Sequence, residues 1–474
     1  MRLLAKAGSS LEKLPPGIWK VALVAVLGSF MAQLDATVVN VSLSSLAVEL
    51  HSALEHIQWV TSGYLLALAL LLPLSGWLVD RFGARVVYLG CFVSFTLTSA
   101  MCGLAWSANS LIAFRVLQGM SGGLLAPMAQ LTMARVAGKH MARVFGYAAL
   151  PVLLGPVVGP VLAGAILAHA SWRWLFLVNV PFSLFALVWS WFVLPKDGPA
   201  EHRREFDLVG FALLAPALVT FLYGADHLRG GYGGLVLLGS FVLLAIFVRH
   251  ALKLGDHAIV DLQVFRGSFR VSALTQFLSN GIAFAGQLLV PYYLVRACGE
   301  SVVTTGWLMA PLGLGMMLVY PQVGGFTERF GVRRTAVTGS LLALFGSMVL
   351  VGTVAHGLSL PVLEVALFVR GMGMSCVSIP SLSSAYISVD RRTLPMATTA
   401  MNIVQRLGGP AWTTVVATFL AWRLDVSAGS HAPATRGFLE AFAFLAVIHL
   451  AQLLTAMRLP ILLHSATEVE AVAS

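Results

Sequence analysis

The chain has 474 residues, of which 58% are hydrophobic and only 11% are charged. Soluble domains carry about 25% charged residues, so this chain has too little polar surface to be a soluble protein. Its net charge of +10 is spread along the chain rather than clustered on one basic face, which argues against a nucleic-acid partner. We therefore expect an all-α integral membrane protein in contact with the lipid bilayer.

Runs of about 20 apolar residues predict membrane-crossing helices, because a helix of that length covers the roughly 30 Å of hydrocarbon in a bilayer. The sequence contains fourteen such runs, so we expect fourteen transmembrane helices. In chain order the predicted spans are 18–45, 57–79, 86–106, 109–131, 142–168, 174–194, 206–225, 232–252, 269–296, 302–323, 333–354, 359–386, 396–422 and 437–460.

Basic residues in the loops predict the orientation, since Lys and Arg accumulate on the cytoplasmic side of a membrane. The two tails and the loops after even-numbered spans hold 22 Lys and Arg, whereas the loops after odd-numbered spans hold five. Both termini are therefore predicted to be cytoplasmic.

Span 1 carries an acid, Asp35, in the stretch MAQLDATVVNVSL (31–43), and Thr37 and Asn40 follow it closely. A charged side chain at this depth costs about 3 kcal/mol or more and indicates a function by default. No other acid lies deep in a predicted span, so Asp35 is the candidate to carry a proton between hydrated and dry surroundings. The alternative is a neutral Asp that hydrogen-bonds a neighbouring helix for packing.

The turn after span 2, GWLVDRFGARVV (76–87), is repeated after span 10 as GGFTERFGVRRT (324–335). Its glycines allow a sharp reversal, and Asp80 with Arg81 and Arg85 can form an ion-pair latch that opens when helices slide. The predicted gating residues are Gly76, Asp80, Arg81, Gly83, Arg85, Glu328 and Arg329.

This repeat places equivalent spans eight apart, which indicates two six-span halves separated by an inserted pair, spans 7 and 8. Secondary transporters are commonly built from repeated halves with a substrate site between them. The predicted divisions are a cytoplasmic tail (1–17), an N-terminal six-helix bundle (18–195), the inserted pair with its linkers (196–255), a C-terminal six-helix bundle (256–460) and a cytoplasmic tail (461–474).

Three arginines lie inside predicted spans: Arg115 in span 4, Arg370 in span 12 and Arg406 in span 13. An arginine in a membrane needs an acid, backbone carbonyls or water beside it. Asp35 belongs to the same half as Arg115 and is a candidate partner for it. Snorkelling to the interface or capping of carbonyls is the alternative for each arginine.

Span 5 contains GPVVGPVLAG (155–164), where small residues let another helix approach closely and two prolines favour a bend. The residues assigned to this hinge are Gly155, Pro156, Gly159, Pro160 and Gly164. An ordinary helix contact would produce the same spacing.

Polar and bulky side chains of both halves are candidates to line a central substrate cavity, although membrane packing is the simpler account for any one of them. They are Gln33, Thr37, Asn40, Gln58, Tyr64, Gln118, Gln130, Gln276, Asn280, Gln287, Tyr292, Arg370, Asn402 and Arg406.

The repeated turn resembles the loop signature of the major facilitator superfamily. Residues 34–43 of span 1, the inserted pair and NIVQRLGGP (402–410) in span 13 resemble its fourteen-span drug:H+ antiporter branch, the EmrB/QacA-like proteins. The span 5 pattern is similar to the antiporter motif of the family, and Arg115 matches the family arginine implicated in proton coupling. Glu328 stands where the signature has Asp, and Pro160 where the span 5 motif often has Gly.

The resemblance implies a proton-coupled exporter of amphipathic or hydrophobic small molecules that works by rocking of the two halves. It also implies the bacterial inner membrane, with a periplasmic adaptor and an outer-membrane channel as candidate partners. A proton-coupled lipid or metabolite transporter or flippase on the same fold is the alternative. The sequence has no catalytic motif and no paired Cys/His site, so we expect no enzymatic activity, no metal and no cofactor besides the coupling proton.

Overall fold

The computed structural model describes residues 15–197, 205–228, 231–429 and 434–461, and these residues contain helices but no β-strand. We number the long helices by their order in the chain. They are α1 (Pro16–Glu49), α2 (Leu54–Leu70 and Leu74–Phe82), α3 (Ala84–Gly103), α4 (Ala108–Ala137), α5 (Met141–His169), α6 (Trp174–Val193), α7 (Leu208–Asp226), α8 (Gly233–Leu254), α9 (Gly267–Arg296), α10 (Val302–Phe330), α11 (Val332–His356), α12 (Leu360–Ile387), α13 (Leu394–Gly429) and α14 (Ala434–Ala456).

The number of membrane crossings differs from the prediction. In the described part of the chain, eleven helices are long and apolar enough to cross a membrane, or thirteen if each of two bent pairs forms one span. The predicted span outside that number is α13, whose apolar residues are interrupted by Gln405, Arg406, Thr413 and Thr414. The all-helical membrane architecture is therefore confirmed, whereas the count of fourteen is not.

Two helices bend sharply at prolines. The two segments of α2 meet at 57° across residues 71–73, and α5 bends by 40° between Pro156 and Val158. A proline has no backbone N–H to donate and its ring displaces the preceding turn, which explains both bends. The break beside Pro73 was not predicted, because that proline lies in a continuous apolar run.

The helices group as the internal repeat indicates. α1 to α6 pack mainly on one another, and so do α9 to α14, while α7 packs on α8, α2 and α13. The predicted limits of these divisions stay a prediction. Small residues allow the close approaches: a Cβ added to Gly119 or Gly123 of α4 would collide with the backbone of Tyr64 or Leu68 of α2.

The α2–α3 turn and the α10–α11 turn lie at one end of the bundle, which we call the loop-signature face. Near this face the two halves contact each other, with α2 against α13 and α5 against α10. The sites described below lie inside the N-terminal half, between the halves and, for Arg370, inside the C-terminal half.

Candidate functional site

Asp35 lies on α1 with its side chain completely buried. Its Oδ2 accepts a hydrogen bond from Arg115 Nη1 at 2.5 Å, and its Oδ1 accepts from Asn179 Nδ2 at 2.8 Å and from Gln118 Nε2 at 3.3 Å. These four residues, the buried ionic cluster, join α1 to α4 and α6. Both carboxylate oxygens are bonded, so the surroundings suit an ionised Asp35 paired with a cation.

Arg115 is held on several sides. Its Nη1 also donates to Gln118 Oε1 at 2.6 Å, its Nε donates to Val60 O at 3.2 Å, and its Cζ lies 4.0 Å from the centroid of the Tyr64 ring. A desolvated cation on an aromatic face gains about 2 kcal/mol. Nη2 has no hydrogen-bond partner among the described residues, so its two N–H groups remain for water or a ligand.

The predicted proximity of Asp35 and Arg115 is thus observed, and the structure adds two residues that sequence reasoning missed. Asn179 donates to Asp35, and Ser99 Oγ accepts from Gln118 Nε2 at 2.7 Å, which orients the Gln118 amide. Asn179 is the one amide in the apolar stretch WRWLFLVNVPF (172–182), and this isolated polar residue could have indicated a buried hydrogen-bond donor. Ser99 gave no signal, because hydroxyls are common in these helices.

A second set of polar residues joins the halves. Gln130 of α4 accepts at Oε1 from Tyr386 Oη at 2.6 Å and from Asn402 Nδ2 at 2.8 Å, and its Nε2 donates to Gln405 Oε1 at 3.5 Å. Gln405 Nε2 in turn donates to Gln276 Oε1 at 3.2 Å.

Asn280 extends this set by donating to Gln276 O at 3.0 Å. The inter-half polar cluster therefore comprises Gln130, Gln276, Asn280, Tyr386, Asn402 and Gln405. Four of the six were predicted to line a cavity; Tyr386 and Gln405 were not.

The first glycine of each loop signature lies where the halves touch. Ser75 Oγ is 2.7 Å from Thr399 Oγ1, and a Cβ added to Gly76 would lie 3.0 Å from the same oxygen. A Cβ added to Gly324 would overlap the backbone of Arg143. The two equivalent glycines thus permit the contacts of α2 with α13 and of α10 with α5.

In the first signature, Arg85, which was expected to form a latch with Asp80 and Arg81, bonds to α6 and to the linker that follows it. Arg85 Nη2 donates to Trp191 O at 2.5 Å, and the backbone N–H groups of Ala84 and Arg85 donate to the carboxylate of Asp197 at 3.0 and 2.8 Å. The N–H groups in the first turn of a helix have no acceptor within that helix. Asp197, in the linker after α6, accepts from two of those in α3.

Gly83 at this turn has a φ of 86°, in the left-handed region that favours glycine. Arg81 is exposed.

The second signature joins the halves by charge. Glu328 forms an ion pair with Arg143 of α5, and its Oε1 lies 3.3 Å from His140 Nδ1. Arg329 lies beside it with its Cζ 5.2 Å from the Phe330 ring. Glu328 is therefore a contact between the halves rather than part of a latch within its own turn.

The span 5 hinge packs against the helix that carries Asp35. A Cβ added to Gly155 would lie 2.8 Å from Gln33 Cγ, and one added to Gly159 would lie 2.8 Å from Thr37 Cβ. Thr37 Oγ1 donates to Gln33 O at 3.0 Å within α1.

The rest of the hinge does not take part in this contact. Gly164 has nothing within 4 Å of an added Cβ, and Pro156 and Pro160 are exposed. Gly155 and Gly159 alone therefore allow the close helix contact.

Arg370 of α12 is 1% exposed and donates from Nη2 to Ile282 O at 3.0 Å. Its Nε and Nη1 have no hydrogen-bond partner, and no acid pairs with it, among the described residues. Gly286 of α9 packs directly against the guanidinium, so an added Cβ would overlap it. Arg370 is therefore a buried cation without an acid.

Among the described residues, none of the remaining cavity predictions hydrogen-bonds to either polar cluster, although Arg406 interacts electrostatically with Tyr64 of the N-terminal half. Arg406 is partly buried on α13 and lies outside the inter-half polar cluster. Four other side chains are exposed and make no side-chain hydrogen bond to a described residue: Asn40, Gln58, Gln287 and Tyr292. Across the described ranges, no group of three or more His, Cys, Asp or Glu side chains could hold a metal ion.

The sequence profile described as "Major Facilitator Superfamily" matches residues 25–413, which run from within α1 to within α13 and include the inserted pair. The chain belongs to the major facilitator superfamily. This confirms the resemblance carried by the loop signatures. Members of the superfamily are transporters, so the chain is a multi-pass membrane transporter and not an enzyme.

Curated relatives match most of the chain. The "Multidrug resistance protein B homolog" of Mycobacterium tuberculosis (strain ATCC 25618 / H37Rv) is 35% identical over 430 residues, which cover 88% of this chain and 78% of the relative. The MdtD protein of Escherichia coli O7:K1 is 33% identical over 371 residues, covering 75% and 76% of the two chains.

Solved structures confirm the fold. The proton:xylose symporter XylE aligns with a TM-score of 0.65 at 16% identity and covers 96% of this chain and 99% of its own. The human organic anion transporter MFSD10 also aligns with a TM-score of 0.65 at 16% identity, covering 94% and 100%.

Proposed function

We propose that this transporter exports amphipathic or hydrophobic small molecules in exchange for protons, by alternating access between its two halves. The observation that carries the proposal is the buried ion pair of Asp35 and Arg115. Ionisable residues inside a membrane bundle mark proton and substrate pathways. The relative from Mycobacterium tuberculosis is named for multidrug resistance, which supports export and a range of substrates.

Coupling follows from what a proton does to the buried ionic cluster. A proton on Asp35 removes the negative charge that Arg115 faces, while Arg115 keeps Val60 O, Gln118 and the Tyr64 ring as partners. Breaking a buried pair on one side costs about 3 to 5 kcal/mol. Protonation therefore weakens the attachment of α1 to α4 and favours another arrangement of the N-terminal half.

The membrane potential supplies energy of the same order. One charge that moves through 100 mV gains about 2.3 kcal/mol. A proton that enters through Asp35 and leaves on the other side can thus drive a substrate uphill, provided that proton and substrate do not occupy the site together.

We place the loop-signature face on the cytoplasmic side of a bacterial inner membrane, with both termini there, because the basic residues accumulate in the tails and loops of that side. The halves meet near this face through the inter-half polar cluster and the Glu328–Arg143 pair. The described conformation is then the one closed to the cytoplasm. Export alternates it with a conformation in which these contacts are broken.

Transport by the full chain in proteoliposomes tests the proposal. A pH step drives movement of ethidium, a lipophilic cation, and Asp35→Asn is expected to abolish this pH-driven movement. Asp226→Asn is the matched control, because the Asp226 carboxylate is 77% exposed and lies outside the cluster. Unchanged pH-driven transport by Asp35→Asn would remove Asp35 from the mechanism.

The direction of movement separates the alternatives. Inward movement of ethidium with the proton would contradict antiport, and pH-driven transfer of a labelled phospholipid between leaflets in place of ethidium would favour a flippase. The periplasmic adaptor, the outer-membrane channel and the lack of any cofactor besides the proton remain predictions.

A further inference from the structure

A groove of about 800 Å³ lies on the surface of the C-terminal half, far along the chain from the buried ionic cluster. α10 and α11 form its walls and α12 its floor, because both helices pack extensively on α12 but little on each other. Phe326 and Phe330 of α10 are 37% and 46% exposed there, and the apolar lining also includes Leu342, Met372 and Cys376. A groove of this character on a membrane helix bundle suits a hydrocarbon chain.

The end of the groove at the loop-signature face is basic. Arg333 and Arg334 line it at the start of α11. Arg333 uses Nε to donate to Leu459 O at 2.6 Å, and Arg334 is exposed. Neither arginine forms an ion pair with an acid in the described ranges, so this end of the groove carries uncompensated positive charge.

The N-terminal half has an acid at the corresponding place. Arg85 takes the position of Arg333 in the repeated loop signature, and the linker after α6 brings the carboxylate of Asp197 to this turn. The same linker brings Phe206 to Trp77 of α2, with ring centroids 4.9 Å apart. A negative group beside an apolar group thus covers this region in the N-terminal half. In the C-terminal half the segment after α14 covers the turn with the carbonyls of Leu459 and Pro460, and no described acid reaches it.

We propose that the groove binds an anionic phospholipid, with its phosphate at Arg333 and Arg334 and an acyl chain along Phe326, Phe330 and Leu342. A guanidinium matches a phosphate with two parallel hydrogen bonds. Basic pockets between membrane helices at the level of the headgroups bind anionic lipids. Because α10 also carries Glu328, the lipid binds to the wall that contacts the other half.

Native mass spectrometry of the purified full chain tests this with phosphatidylglycerol and phosphatidylcholine as probes. Phosphatidylglycerol is expected to remain bound preferentially. Arg333→Gln combined with Arg334→Gln is expected to weaken its binding about tenfold, which corresponds to the loss of one hydrogen bond to a charged group. Thr338→Trp places an indole at an exposed position in the groove and is expected to reduce binding of both lipids.

The matched control removes two charges elsewhere on the same face. Arg249→Gln combined with Lys253→Gln changes exposed residues of α8 outside the groove and should leave lipid binding unchanged. An equal loss in this control would reduce the effect to general surface charge and overturn the proposal. Unchanged binding in the groove variants would also overturn it, as would binding only after deletion of 462–474, which would make the terminal segment the occupant.

Discussion

Each half buries an arginine on an equivalent helix, but only the N-terminal half supplies an acid for it. Arg115 of α4 pairs with Asp35 of α1, whereas Arg370 of α12 lies against Gly286 of α9. Asp35 and Gly286 both lie 19 residues after the first residue of their helices, so the glycine takes the place of the acid. The two halves therefore share an arrangement of helices but differ in the side chain that faces the buried arginine, an acid in one half and a glycine in the other.

This difference has an energetic consequence. A buried ion pair that keeps its hydrogen bonds is tolerated, but a buried cation with unmade hydrogen bonds destabilises the folded state. The N-terminal half thus holds a switch that a proton can open, and the C-terminal half holds a cation that no described acid neutralises.

The largest effect is expected from removing each arginine in turn. Arg115→Met leaves the Asp35 carboxylate buried without its cation and should lower the free energy of unfolding by about 3 to 5 kcal/mol. Arg370→Met replaces an unpaired cation by apolar volume and should leave stability unchanged or raise it. Thermal unfolding of the two purified variants measures the contrast.

The double variant Asp35→Asn with Arg115→Met serves as the control and should recover most of the loss, since it leaves no charge in the buried ionic cluster. If Arg370→Met destabilised the protein as much as Arg115→Met, the comparison would fail, because Arg370 would then have an anionic partner.

A smaller contrast is expected at the two glycines between the halves. Gly324→Ala forces a methyl group into the backbone of Arg143 and should destabilise the closed arrangement by about 1 to 3 kcal/mol. Gly76→Ala places its methyl group 3.0 Å from the Thr399 hydroxyl, and the gain in helix propensity offsets this contact. Spin-label distances across the loop-signature face should widen in Gly324→Ala alone; equal widening in both would contradict the difference.

The missing acid can be supplied. Gly286→Asp places a carboxylate beside Arg370, whose guanidinium must first shift away from the added Cβ. Once it has shifted, the new pair is expected to raise the free energy of unfolding by about 1.5 kcal/mol, the lower value for a hydrogen bond to a charged group. Gly286→Asn provides the same shape without the charge. The gain should vanish when Gly286→Asp is combined with Arg370→Met, and a gain that persisted would point to helix propensity instead.

The smallest effect concerns the first turns of α3 and α11. Asp197→Ala removes the acceptor for two N–H groups of α3 and should cost about 1 kcal/mol, as loss of a helix cap does. In α11 the Arg333 N–H donates to Pro460 O, so that turn has no acid to lose. Hydrogen exchange should speed up at Ala84 and Arg85 only, and protected amides there would contradict a capping role for Asp197.

Much of the frame was predictable from local patterns. Apolar runs predicted the helices, and the repeated loop signature predicted the two halves and the family. The span number was less secure, because α13 mixes Gln405 and Arg406 with apolar residues and falls below the apolarity of the other helices. The break in α2 at Pro73 was not predicted, because the apolar run continues through this proline. Hydrophobic periodicity does not show that one backbone N–H is missing.

Site residues were predictable from the sequence only where placing the side chain inside a membrane costs substantial free energy. Asp35 and Arg115 were recognised because charge in a membrane needs a reason, and their pairing followed from the need to neutralise both. Asn179 and Tyr386 were not recognised, because burying an amide or a tyrosine costs less free energy than burying a charge, so such residues also occur where they only pack. Asp197 was not predicted to cap the turn of Gly83, because neither stretch of sequence contains a pattern that indicates a cap from so far along the chain.

By itself the sequence determined that this is a membrane transporter of two repeated halves with one deep acid, because hydropathy, charge asymmetry and repeats are properties of the chain read in order. The tertiary structure alone decided which residues touch: Asn179 on Asp35, Gln130 between the halves, Gly286 against Arg370. The physical reason is that such contacts depend on how closely helices approach, and small residues far apart in the chain set that approach.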